Sequence, residues 1–115
     1  MIAILIAQLL IFIVCASISA QDTLPPVGKI DINKDSKVVY SRNVTLTIHA
    51  SDVNGVAQMC INEVPSGDCM GWIPYQQNIA VTLSPGNGIK TVCVRVMDNA
   101  GKVGSPSCDY IRLLE

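Results

Sequence analysis

Lys90-Thr91-Val92-Cys93-Val94-Arg95-Val96-Met97-Asp98-Asn99-Ala100-Gly101 is the stretch on which the fold turns. It alternates without a break. Val92, Val94 and Val96 fall on one side, and Cys93, Arg95 and Met97 on the other. Period two in β-branched residues predicts a half-buried strand. Asp98-Asn99-Ala100-Gly101 is turn chemistry: Asp and Asn satisfy nearby backbone groups, and Gly accepts positive φ. The return through Cys108-Asp109-Tyr110-Ile111-Arg112-Leu113 sets Ile111 and Leu113 on one face and Cys108, Tyr110 and Arg112 on the other. A hairpin closed about Ala100 and Gly101 pairs residues whose numbers add to 201, as 93 and 108 do. Cys93 and Cys108 then stand opposite each other on the outward face. Ser105-Pro106 works against a fully regular register, because Pro cannot donate to the ladder.

The 115 residues divide by charge. Residues 1–21 carry no charged side chain, and all eight Lys/Arg and nine Asp/Glu lie from Asp22 onward. Residues 2–14 are apolar except Gln8, and 15–20 are small or polar. This predicts a secretory signal peptide over 1–20, cleaved after Ala20, although its start lacks Lys or Arg. Two other readings are an uncleaved membrane anchor, because the run is nearly long enough to span, and a lipoprotein signal ending at Cys15. The latter is disfavoured by Phe12-Ile13-Val14, which lacks a small residue next to the cysteine. The remainder suffices for one small domain. Its formal net charge of −1 and lack of a basic patch argue against nucleic acid as a partner.

Removing the leader leaves Cys60, Cys69, Cys93 and Cys108, an even number in a short exported chain. Eight, twenty-three and fourteen residues separate them in turn, with no Cys-x-x-Cys and one His, which is poor spacing for zinc. Two disulfides are expected, and no metal or other cofactor. Parity favours Cys60–Cys69 and Cys93–Cys108, each clipping one hairpin.

Along the chain, 21–26 (Gln-Asp-Thr-Leu-Pro-Pro) is an extended lead segment. A sandwich domain is expected over 27–115. Strands are expected over 27–33, with Ile30 and Ile32 inward, and around 38–40. In 43–50, Val44, Leu46, Ile48 and Ala50 face in. In 56–62, Met59 and Ile61 face in and Gln58, Cys60 and Asn62 face out. A short irregular strand is expected over 69–75, and 78–83 turns Ile79, Val81 and Leu83 inward. Turns with Gly, Asp, Asn or Pro separate them, and no stretch beyond the leader has helical spacing. About seven short strands with regular turns predict an all-β antiparallel sandwich, two sheets burying one apolar face each.

The residues now in view resemble bacterial immunoglobulin-like domains related to fibronectin type III. The resemblance rests on Asp22-Thr23-Leu24-Pro25-Pro26, Val44-Thr45-Leu46 and Asp52-Val53-Asn54-Gly55-Val56. It continues through Trp72-Ile73-Pro74-Tyr75, Lys90-Thr91-Val92 and Asp98-Asn99-Ala100-Gly101. Together these span essentially all of the chain beyond the leader. The resemblance implies a seven-stranded sandwich of the kind repeated in large surface or secreted proteins, as spacer, adhesive module or enzyme accessory. A single module behind a leader, with four added cysteines, departs from that pattern and weakens the spacer role. In an immunoglobulin-like sheet the third and sixth strands are neighbours, so Cys60–Cys93 with Cys69–Cys108 is the rival disulfide pairing.

Candidate chemistry is sparse. Asp52 and Asp98, with Asn54 and Asn99 and the glycines Gly55 and Gly101, occupy matching turns at one end of the predicted sandwich. Clustered oxygens there could bind calcium, but the favoured reading is that each Asp fixes its own turn. His49, the single histidine, reads as a surface residue. Bridged cysteines offer no nucleophile, and Pro85-Gly86-Asn87-Gly88 is a turn, not a phosphate loop. No enzyme is expected. Tyr40, Trp72 and Tyr75 are candidates for an aromatic platform for sugar or protein, with edge packing as the competing role. Asn43-Val44-Thr45 is a glycosylation sequon that matters only in a host that glycosylates.

The reading is an exported, disulfide-stapled module that binds a protein or a surface polymer, its partner an unknown protein or polysaccharide. The alternative is a structural module, tethered to the membrane if 1–20 is uncleaved, or built into an assembly through its sheet edges. Protein recovered outside the cytoplasm is expected to begin at Gln21 by intact mass, with four alkylation sites opening only after reduction. Met1 retained in the membrane fraction would mark the tether, and free thiols before reduction would overturn the stapled domain.

Overall fold

The computed structural model describes residues 24–65, 69 and 71–115. The expected leader over 1–20 lies outside the described residues, as do 21–23 of the lead segment. Eight strands follow one another: β1 (Val27–Ile32), β2 (Val38–Val39), β3 (Asn43–Ser51), β4 (Val56–Val64), β5 (Ile73–Pro74), β6 (Asn78–Thr82), β7 (Gly88–Asp98) and β8 (Ser107–Leu113). No helix occurs among the described residues. The strands make a three-stranded sheet, β1-β3-β6, and a five-stranded sheet, β2-β8-β7-β4-β5.

β7 is the centre of the larger sheet. It pairs antiparallel with β4 on one side and β8 on the other. From Gly88↔Leu113 to Val94↔Ser107 the β7–β8 register is unbroken, and it sets Cys93 against Cys108. Past that point Ser105 and Pro106 leave the ladder, and the hairpin rejoins only at the isolated Met97↔Val103 bridge. The turn is held by Asp98, whose Oδ1 accepts the N–H groups of Ala100 at 2.9 Å and Lys102 at 2.8 Å.

Alternation places the core. Ile30, Ile32, Val44, Leu46 and Ile48 of the smaller sheet meet Met59, Val92, Val94, Val96, Ile111 and Leu113 of the larger one. All are buried, and each such aliphatic side chain contributes about 1.5–3 kcal/mol of transfer free energy. At the mouth of the sandwich β1 approaches its neighbours too closely for side chains. A Cβ on Gly28 would lie 3.3 Å from Val96, and one on Gly104 would fall inside contact distance of the Pro26 carbonyl oxygen. At the other end of β1 Asp109 ties the sheets together, its Oδ2 accepting the Ile32 N–H at 2.9 Å.

Several details differ from the sequence-based expectation. Strands number eight, at the places expected along the chain, and two of them, 38–39 and 73–74, are only two residues long. β2 runs parallel to β8, which makes the larger sheet mixed. The strand expected over 69–75 shrinks to Ile73–Pro74, where Pro74 has no N–H to extend a ladder. Cys60 and Cys93 have outward parity yet are buried, 2% and 8% exposed. Each is bonded to a cysteine of another segment, Cys69 and Cys108 respectively, and both line one groove with Trp72 and Arg95.

Cysteine pairing is local, Cys60 with Cys69 and Cys93 with Cys108, with Cα separations of 5.6 and 4.0 Å. β4 and β7 are neighbours, but their register sets Cys60 against Arg95 and Cys93 against Asn62. A Cys60–Cys93 bridge would have to cross that diagonal, about 7 Å against the 3.5–4.5 Å between Cβ atoms that a disulfide needs. Replacing Cys93 and Cys108 together by Ala is expected to cost about 3 kcal/mol in guanidinium unfolding, from the chain entropy of the loop they close. Gly104→Ala is expected to cost about 1–3 kcal/mol by overpacking against Pro26, read as a lower melting temperature.

Candidate functional site

The outward face of the five-stranded sheet carries a concavity. Side chains at alternate positions of β4 and β7 rise on the face away from the core. Cys60, Asn62 and Val64 come from β4, and Cys93 and Arg95 from β7. Cys108 follows from β8, and Cys69, Trp72 and Pro106 close the margins. Together they line a groove of about 630 Å³. Both disulfides lie in its lining, so its walls are covalently fixed to the strands beneath. Trp72 is half-buried and Arg95 exposed. The groove thus offers an aromatic surface, an amide and a guanidinium over a rigid floor.

The three aromatic candidates do not gather into one platform. Tyr40 follows β2 and is 76% exposed, at the opposite edge of the sheet from β5 and Trp72. Tyr75 turns inward: its backbone N–H donates to Ala57 O at 3.1 Å, and its hydroxyl donates to Ile48 O of the facing sheet at 2.6 Å. It packs against the core and fastens β5 to β3. Trp72 alone of the three lines the groove.

Asp52 and Asp98 occupy adjoining turns at one end of the sandwich. Asp52 Oδ2 accepts the Asn54 N–H at 3.0 Å, and the two turns are bridged where Asn99 N–H donates to Gly55 O at 3.2 Å. The Asn99 side-chain amide also donates to Asn54 O. Gly55 has φ +79° and leaves no room for a Cβ beside that amide, so the bridge depends on glycine there. Both carboxylates are engaged with their own turn backbone. Asp98 is 1% exposed, and its Oδ2 and the Asn54 Nδ2 are buried without a hydrogen-bond partner among the described residues.

A carboxylate cluster that sequence reasoning missed lies elsewhere. Asp31, Asp35 and Asp109 bring carboxylate oxygens within 4.8 Å of one another. Asn33, Lys34 and Asp35 all adopt positive φ, and this tight turn brings Asp35 back toward Asp31 while β8 supplies Asp109. The alternation of Asp31, Asn33 and Asp35 was the local signal, but Asp109 is remote in sequence. Two of the three have protein neighbours: Asp109 accepts from Ile32, and Asp31 lies 3.7 Å from His49 Nε2. His49 itself is exposed.

No protein-family model matches the chain, and no curated protein matches it in sequence. Solved structures do match. A structure of fibronectin(III)-like modules from Clostridium thermocellum CbhA aligns with a TM-score of 0.56 at 18% identity, over 77% of this chain and 45% of that one. The PKD1 domain of Vibrio anguillarum Epp aligns with a TM-score of 0.54 at 12% identity, over 79% of this chain and 98% of that one. This chain therefore spans less than half of the CbhA structure and nearly all of the PKD1 domain. At such identities the likeness is one of fold, and the fold is an immunoglobulin-like β-sandwich of the fibronectin type III kind.

Proposed function

We propose that the chain is an exported, non-catalytic binding module that takes a surface polysaccharide in the groove on the outer face of its five-stranded sheet. The groove itself carries this reading. Its floor is β7 with β4 and β8 on either side, and the face these strands turn to a ligand is made of side chains. Recognition must run through side chains. Trp72 supplies a face for stacking on a sugar ring, and Asn62 and Arg95 supply hydrogen bonds to hydroxyl or carboxylate groups. Two disulfides in the lining hold these groups in place before the ligand arrives, which lowers the ordering cost of binding. The same disulfides support residence in an oxidising compartment.

The test is retention on insoluble polysaccharides and on a glycan array, with Trp72→Ala and Arg95→Ala as controls for site. Trp72→Ala is expected to weaken binding about tenfold or more, with an unchanged thermal midpoint. Binding that is indifferent to both substitutions would move the site off this face. Failure on every polysaccharide, with capture of a protein by the wild type alone, would replace the ligand class.

A further inference from the structure

We propose that β6 is a self-complementary edge through which two copies of this chain join into one continuous sheet. Four strands form the edges of the two sheets. β2 and β5 are two residues long, and β5 ends in Pro74. β1 is closed against the facing sheet, where its outward Ile32 N–H is taken by Asp109. The parts of β8 and β4 that β2 and β5 leave unpaired are open as well, but β6 is an edge along its whole length. The Leu83 N–H donates to Arg42 O and the Ile48 N–H to Gln77 O, so odd-numbered residues of β6 bond to β3. The N–H and C=O groups of Asn78, Ala80 and Thr82 therefore point away from β3, along the open edge.

Natural edges are blunted by charge, proline, a bulge or shortness. From Gln76 to Ser84 there is no charged residue and no proline, and the Glu63 carboxylate takes the Ser84 N–H at 2.9 Å just past the end of β6. The β3–β6 register has no bulge. Asn78, Ala80 and Thr82 are exposed. The side chains of Asn78 and Thr82 are held down on their own sheet by Thr47 and Asn43, at 3.0 and 3.1 Å, and leave the main-chain edge clear.

The sequence of this edge selects a second copy as the occupant. In antiparallel pairing about a two-fold axis through Ala80, Ala80 meets itself and Asn78 stands opposite Thr82 of the partner subunit. Ile79 then stands opposite Val81 of the partner subunit. Every outward N–H and C=O finds a partner, with amide facing hydroxyl and aliphatic facing aliphatic. Ile79 and Val81, half-buried at the rim of the core, gain cover from the pairing. The arrangement is isologous, so it closes at a dimer and does not propagate into a fibre. A five-residue edge is a small interface, so the dimer is reversible. It uses the sheet that does not carry the groove.

The test is sedimentation of the protein as the cell processes it, from about 10 µM to about 1 mM, a range suited to a weak complex. A shift from monomer to dimer with concentration is expected. Amide exchange at Asn78, Ala80 and Thr82 should slow in parallel. Ala80→Lys and Ala80→Glu are each expected to stay monomeric, because like charges meet on the axis. An equimolar mixture of the two should regain the dimer. Ala80→Pro, which removes an outward N–H and no bond to β3, should also stay monomeric with an unchanged fold. A monomer throughout the range overturns the proposal. So does an association that survives Ala80→Lys unchanged, including one held by residues 1–20. Polysaccharide binding by Ala80→Lys is expected to match the wild type at a single site, which separates this proposal from that of the groove.

Discussion

The register of β7 is the constraint from which the rest of the fold follows. Its side chains alternate with period two, so a slip of one residue would turn Val92, Val94 and Val96 to solvent and Cys93 and Arg95 into the core. Only one parity buries aliphatics on one face and leaves polar and bridged groups on the other. β4 and β8 inherit that parity through their ladders with β7. The inner faces of three strands, and with them the wall that packs on β1 and β3, are set together. Asp98 closes this arrangement at one end by spending one carboxylate oxygen on two turn N–H groups.

The same parity builds the groove. Residues excluded from the core at positions 60, 62, 93, 95 and 108 must rise on the opposite face, and the strands bring them side by side. Two of the cysteines among them sink out of solvent once bridged. The outer face is thereby divided between a stapled region around Trp72 and an open, polar margin near Tyr110 and Arg112. One alternation in sequence thus produces both the apolar interior and the ordered polar surface behind it.

Local physics made much of this legible. Alternation in 43–50, 90–97 and 108–113 located strands and inward residues, and the hairpin arithmetic gave the Cys93↔Cys108 register. What escaped depends on contacts remote in sequence. The parallel pairing of Val38 and Val39 with Arg112 and Leu113 leaves no trace in either segment. Tyr75 and Trp72 are three residues apart in one motif, yet one is drawn inward by Ile48 O and the other faces the groove. Asp109 lies in a plainly alternating strand, and only the packing of β1 beside it gives its carboxylate the Ile32 N–H. The same limit applied to Cys60, which has outward parity yet is 2% exposed and bonded to Cys69.

Each cysteine is bonded to its immediate neighbour in the order of cysteines along the domain, Cys60 to Cys69 and then Cys93 to Cys108. A chain presented N-terminus first to an oxidant therefore meets its correct partners consecutively. The first pair can close before the second appears, and neither loop encloses a cysteine of the other. An oxidase that joins successive thiols as they arrive would produce the native connectivity without later exchange. The domain needs oxidation for its covalent pattern, but not the isomerase correction that nested or interleaved bridges demand.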